Sequence, residues 1–301
     1  IPIVSAPMDS ITESAMVNTI DSLGGLGIIH RYNSIEEQSS MVYSSYTSNA
    51  KNIGAAVGVT GDFEERAVEL VKAGANVICV DVAHGHHALT KTCLKKLRKL
   101  LGDKIHIMAG NIATLEAFND LSDWGADSIR VGIGGGSICS TRIQTGHGVP
   151  TLQSVIDCSR TDRDSLLIAD GGIKNSGDMV KALAAGADLV MCGSLLSGTD
   201  ETPGDIIRSS SGRTRKVYRG MASREAQESW RNSVGSVEGI ATTVDVKGPA
   251  ENILLGLAWG IRSGLSYSGA SNLAELRTKA IFVQQTPAGA KESSTHILSA
   301  N

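Results

Sequence analysis

The chain is expected to fold as a single-domain (β/α)8 TIM barrel of the α/β class. Three observations carry that expectation. Eight short apolar, β-rich runs follow one another along 301 residues. Each is followed by a helical stretch or a long loop, the alternation that closes a parallel barrel. A weak internal repeat, "AGANVICVDV", "WGADSIRVGI" and "AGADLVMCGS", recurs with one grammar: a glycine, a short Asn or Asp turn, then a strand. A doubly wound open sheet would share that grammar, but the count of eight favours the barrel.

The runs are "PIVSA", "LGIIH", "IGAAVGV", "VICVDV", "KIHIMAG", "DSIRVGI", "SLLIADGG" and "DLVMCGS". They are continuously apolar, as strands buried on both faces must be. Gly74, Gly125 and Gly186 stand where a helix ends in the left-handed conformation. Met16, Ile20 and Leu23 form one helical stripe, and Leu89, Cys93, Leu97 and Leu100 another. The lysines around the second stripe read as a solvated face. Two connections are long. One is a cysteine-bearing loop at about 133–150, and the other is an insertion at about 198–248, after the eighth strand. The helix "AENILLGLAWGIRSGL" then closes the barrel, and the whole of 1–301 is taken up by it.

Composition excludes several classes of function. Apolar residues make up 41% and charged residues 20%, and net charge is −3, so neither nucleic acid nor an anionic membrane is an expected partner. No apolar run is long enough to cross a bilayer. The start, "IPIVSAPMDS", has no initiator Met and no signal-peptide pattern. It already reads as a strand, so native sequence is expected upstream of it. The five cysteines are scattered without a CxxC, which points to a reducing, cytoplasmic compartment. Four lie in apolar stretches and read as buried. Cys139 lies among Gly, Ser and Thr.

Barrel enzymes place their chemistry at the C-terminal ends of the strands. Here those ends carry Asp9, His30, Arg31, Asp81, Asn111, Gly132, Asp170, Gly172, Gly193 and Ser194. The turns "ADGG" and "CGS" after the last two strands offer backbone N–H groups to a phosphate, with Ser194 adding a hydroxyl. Asp170 has two acceptor oxygens for a ribose diol. The plain alternative is a pair of tight turns that need glycine. In "GIGGGSICSTR", Ser137 would donate to the same phosphate, and the loop carbonyls would ligate potassium. Cys139 would serve as a nucleophile with Thr141 positioning or deprotonating it. The alternative is a spare thiol on a surface loop.

The segments "SAPMDSITES", "GGLGIIHR", "GIGGGSICSTR", "ADGGIKNSGDMVKALAAGAD", "MCGSLL" and "VYRGMAS" resemble the inosine monophosphate dehydrogenase and guanosine monophosphate reductase family over nearly the whole chain. The resemblance implies a homotetrameric barrel acting on a purine nucleoside monophosphate with a nicotinamide cofactor. It implies a covalent bond between Cys139 and purine C2. Ser137, Gly172, Gly193, Ser194 and Tyr218 would hold the phosphate and Asp170 the ribose. Met8, Gly220 and Met221 would face the base, and Asp81 and Gly132 the cofactor. Backbone carbonyls of Gly134, Gly136 and Cys139 would hold potassium.

The branch within the family is read from differences. The CBS pair that dehydrogenases insert after the second barrel unit is absent. So is the Arg-Tyr pair of their flap, since Met221 to Glu238 reads "MASREAQESWRNSVGSVE". "CSTRIQTGHGVPTLQSV" and "IMAGN" look like the reductase branch, in which Thr141 and Glu238 would handle ammonia departure with NADPH. "SAPMD", "GLGIIHR" and the tail with Glu292, Ser293 and Ser294 look like the dehydrogenase branch, with NAD. That tail resembles a segment that completes a neighbour's potassium site. A CBS-less dehydrogenase and a non-catalytic nucleotide-binding barrel remain the alternatives.

Overall fold

The structure is a computed structural model that describes residues 1–208, 212–231, 233–293 and 295. Eight parallel strands close a barrel: β1 (Ile3–Ser5), β2 (Leu26–Ile29), β3 (Ile53–Val57), β4 (Val77–Asp81), β5 (His106–Ile112), β6 (Ser128–Val131), β7 (Leu166–Asp170) and β8 (Leu189–Cys192). Closure is direct, with Ile3 in register with Val190 and Ser5 with Cys192. All eight expected runs supply a strand.

Around the barrel lie α1 (Ser14–Ser22), α2 (Ile35–Thr47), α3 (Phe63–Ala73), α4 (Ala88–Leu101), α5 (Leu115–Asp123), α6 (Thr141–Thr145), α7 (Thr151–Cys158) and α8 (Ser176–Ala184). Only α2 lies between β2 and β3. Sequence stops these helices as expected, with Gly74, Gly125 and Gly186 all at positive φ. The stripe on α4 needs correction. Its buried residues are Thr90, Cys93, Leu94 and Leu97, while Leu89 and Leu100 are 45% and 47% exposed. The inner face keeps Cys93 and Leu97 but runs through Thr90 and Leu94 rather than Leu89 and Leu100.

The strands alternate between two cores. Val4, Ile28, Ala56, Cys79, Met108, Ile168 and Met191 fill the barrel interior. Their strand neighbours pack outward against the helices. β6 departs from this pattern. Ile129 and Val131 join the outer core, but the alternate positions are Ser128 and Arg130, both buried.

The repeat has a chemical basis that its grammar did not reveal. Asn76, Asp127 and Asp188, each just ahead of an even strand, accept from a backbone N–H of the odd strand beside it. The pairs are Ile53 to Asn76 at 2.9 Å, Ile107 to Asp127 at 2.6 Å and Leu167 to Asp188 at 2.7 Å. These side chains satisfy edge donors at the N-terminal end of the barrel.

The insertion after β8 is folded. β9 (Ile207–Arg208), β10 (Thr214–Arg219) and β11 (Ala241–Asp245) form an antiparallel sheet with β10 central, and α9 (Arg224–Trp230) crosses between β10 and β11. The buried Lys216 ammonium ties it to the rim by donating to the carbonyls of Thr199, Asp200 and Thr202. α10 (Ala250–Tyr267), α11 (Leu273–Lys279) and α12 (Pro287–Glu292) follow. In the tail, Ser294 lies outside the described residues.

Candidate active site

A cavity of about 480 Å³ opens at the C-terminal end of the barrel. The catalytic, nucleotide, cofactor and loop-carbonyl residues singled out from the sequence line it: Met8, Asp81, Gly132, Gly134, Gly136, Ser137, Cys139, Thr141, Asp170, Gly172, Gly193, Ser194, Tyr218, Gly220, Met221 and Glu238. Asp9 and His30, also expected at the rim, are not among its wall residues and pair instead with Arg219 at 2.6 Å and Glu13 at 3.2 Å. They come from five barrel strand ends, the cysteine loop and the folded insertion.

The cysteine loop is fixed by pairing with the insertion. Ser140 N–H donates to the Glu238 carbonyl at 2.9 Å, and Ile240 N–H donates to the Ile138 carbonyl at 3.0 Å. Residues 138–140 thus run antiparallel to 238–240, with Cys139 bridged to Gly239. This register places three side chains in a row. The half-buried Cys139 Sγ donates to Thr141 Oγ1 at 3.3 Å, and Thr141 Oγ1 donates to Glu238 Oε2 at 2.9 Å. Both donors point toward the carboxylate. A proton leaving the thiol has a path to Glu238, and a protonated Glu238 has a path back.

The other four cysteines are buried. Burial pushes the thiols of Cys79, Cys93, Cys158 and Cys192 up to about 12, which leaves them un-ionised at neutral pH.

A glycine-rich corner lies beside the loop. Gly171 and Gly172 follow β7 at φ +92° and +79°. After β8, Leu196 and Ser197 N–H both donate to the Gly193 carbonyl, winding a helical turn. Lys247 Nζ holds that turn by donating to the carbonyls of Ser194 and Leu195. Ser137 Oγ and Tyr218 OH meet at 3.3 Å. Burial raises the Tyr218 pKa, against the opposing bonds to Ser137 and Ser194, so its hydroxyl keeps its proton as a donor. Glycine is required at 132, where φ is +146° and a Cβ would collide with the Asp170 carbonyl.

Sequence reasoning missed the residue at the centre of the cavity floor. Arg130, on β6, reaches Asp81 Oδ1 at 2.6 Å and Asp170 Oδ2 at 3.0 Å. Asn111 Nδ2 also donates to Asp170 Oδ2 at 2.8 Å. Burial opposes the Arg130 charge, but Asp170, Cys79 and Asp81 overcome it, and its pKa stands well above that of a free guanidinium. Burial likewise works to raise the Asp81 carboxyl, yet Arg130 and Arg31 hold it below the usual carboxylate range. Asp81 is therefore charged, and Arg130 fixes both carboxylates in place. The signal was present, since a lone Arg in a strand buried on both faces must find acids. Tyr32 and Trp230, which line the same cavity, carried no comparable signal.

Residues 1–296 match the family model described as IMP dehydrogenase / GMP reductase domain. The chain is 45% identical to a GMP reductase of Leishmania major over 260 residues, 82% of this chain and 53% of that protein. It is also 45% identical to an inosine-5'-monophosphate dehydrogenase of Nitrosopumilus maritimus over 258 residues, 81% of this chain and 54% of that one. The chain thus spans about half the length of the curated relatives it matches. Among solved structures, it resembles a cysteine-to-alanine variant of GMP reductase from Trypanosoma brucei in complex with guanosine 5'-monophosphate. The TM-score is 0.91 at 31% identity, covering 98% of this chain and 90% of the other.

Proposed function

The chain belongs to the IMP dehydrogenase and GMP reductase family, and from that premise we propose that it reduces guanosine monophosphate (GMP) with NADPH, giving inosine monophosphate (IMP), ammonia and NADP. The observation that carries the reading is the Cys139–Thr141–Glu238 relay. Cys139 gives its proton through Thr141 to Glu238 and adds as thiolate to purine C2. The 2-amino group then departs and needs a proton, which the Glu238 carboxyl returns along the same path. The nicotinamide supplies hydride to C2, and Cys139 is expelled as thiolate. One GMP, one NADPH and one proton are consumed for each IMP, ammonia and NADP formed.

The remaining residues hold the nucleotide. Ser137, Gly172, Gly193, Ser194 and Tyr218 surround the phosphate, and Asp170 takes the ribose hydroxyls. Met8, Gly220 and Met221 face the base, and Asp81 and Gly132 border the cofactor. Potassium would sit on carbonyls of Gly134, Gly136 and Cys139. That of Gly136 also accepts from Cys139 N–H at 3.1 Å, which leaves it a second lone pair. A homotetramer with the tail against a neighbour completes the reading.

Equal identity to the dehydrogenase relative supports one second reading, oxidation of IMP to xanthosine monophosphate with NAD. It is placed second because 222–237 supplies no Arg-Tyr pair to activate water. Pure nucleotide binding comes third, since it gives no use for the relay. The test is incubation with GMP plus NADPH and, separately, IMP plus NAD, following nicotinamide absorbance and ammonia. Oxidation of IMP without ammonia from GMP would replace the first reading by the second.

A further inference from the structure

Within the insertion, the chain leaves the rim after Met221 and returns to it with Glu238. Backbone pairs pin the two ends of this excursion. Gly220 N–H donates to the Ile240 carbonyl at 3.1 Å, and Glu238 N–H donates to the Ala222 carbonyl at 3.1 Å. The first half of the excursion is α9. The second half is not regular, since residues 233–238 lie in no helix or strand. Their backbone groups need partners from elsewhere.

Gln227, on the buried side of α9, supplies them. Its Nε2 donates to the carbonyls of Ala222 and Ser236, both at 3.0 Å, and its Oε1 accepts from Gly235 N–H at 2.8 Å. One side-chain amide thus joins the start of the excursion to the residues two and three positions ahead of Glu238. The Ala222 carbonyl is the shared point, because it accepts from Gln227 Nε2 and from Glu238 N–H. The task suits glutamine, which donates twice and accepts at one end without charge. An ionised Glu would only accept, and an apolar side chain would do neither.

We propose that Gln227 is a positioning residue for the relay. It holds residues 235 and 236 against α9, so that the Glu238 carboxylate stays within reach of Thr141. Gln227 acts through Glu238 and not on the nucleotide. The proposal rests on the reading that Glu238 carries the proton for the departing amine.

The experiment is a double-mutant cycle on Gln227 and Glu238, following ammonia in single turnovers of GMP with NADPH. Gln227→Met keeps the length and removes the amide. It should slow ammonia release about ten- to a hundredfold, the scale of a misplacement of roughly 1 Å. GMP affinity, measured by calorimetry without NADPH, should stay within about twofold, since the nucleotide's own contacts are untouched. In a Glu238→Gln background the same substitution should add less than about a twofold loss, because the group it positions is already gone. Losses that multiply in the double variant, or a GMP affinity that falls in step with the rate, overturn the proposal. Both results mark a residue that merely supports the insertion. Should Gln227→Met fail to fold, Gln227→Glu carries the same cycle, keeping the acceptor for Gly235 and losing the donors. A Glu238→Gln protein as fast as the wild type overturns the reading of Glu238 itself.

Discussion

The two ends of this barrel use the same residue types for opposite purposes. At the N-terminal end, Asp127 and Asp188 take backbone N–H groups of the neighbouring strands and pair with Arg98 and Arg277. Their lone pairs are committed to holding strands in register. At the C-terminal end, Asp81 and Asp170 share the single guanidinium of Arg130 and line an open cavity. Their carboxylates take side chains, Asp81 pairing also with Arg31 and Tyr32 and Asp170 also with Asn111, and no strand edge depends on them. The difference teaches that an acid's role follows from what else it must satisfy. Where it closes a backbone ladder it serves the fold, and where it faces a cavity it is free to serve a ligand.

Substitutions at the two ends should therefore separate turnover from stability. The largest effect is expected for Cys139→Ala. Turnover should fall on the order of 10⁴-fold or more, the usual scale for loss of a nucleophile, with melting temperature and nucleotide affinity nearly unchanged. Residual activity of a tenth would remove Cys139 from the chemistry. Next comes Glu238→Gln, which keeps the shape but carries no proton to the leaving amine. Ammonia release in a single turnover should slow roughly 10²–10⁴-fold, with GMP affinity held.

Arg130 tests whether the comparison has a clean border. Arg130→Met leaves Asp170 without a cation and Asp81 with Arg31 alone, so it should cost about 3–5 kcal/mol in denaturant unfolding as well as activity. Loss of activity alone would mean that water replaces the guanidinium. The smallest effect belongs to the other end. Asp127→Ala orphans the Ile107 N–H and should cost about 1–3 kcal/mol of stability, with turnover unchanged at temperatures where the protein is folded. A kinetic defect there would show that the two ends are coupled through the strands.

Much of this contrast was legible in the sequence, and the exceptions have physical reasons. The eight strands announced themselves because both their faces are buried, which leaves an apolar run bounded by glycine. The sheet of the insertion did not. The buried positions of "TRKVYR" are a lysine and a tyrosine, and "ATTVD" buries no residue fully, so no apolar face marks them. The rim residues could be listed because strand ends are fixed by the fold class. Their pairing could not, since Cys139 and Glu238 lie 97 or more residues apart by way of Thr141 and meet through a backbone bridge that no local pattern encodes. Trp230 was hidden for the same reason. It sits in a short polar helix, and its partner Tyr32 comes from the second barrel unit.

The central claim is that the C-terminal rim works through one thiol. Four cysteines are buried and held at about 12, and Cys139 alone joins the relay. The direct measurement is mass spectrometry of the protein quenched with acid during turnover of GMP with NADPH, followed by digestion. A purine ribonucleotide should be found on the peptide carrying Cys139 and on no other cysteine peptide. Continued turnover with no adduct, or with the adduct on Cys79, Cys93, Cys158 or Cys192, would contradict the account.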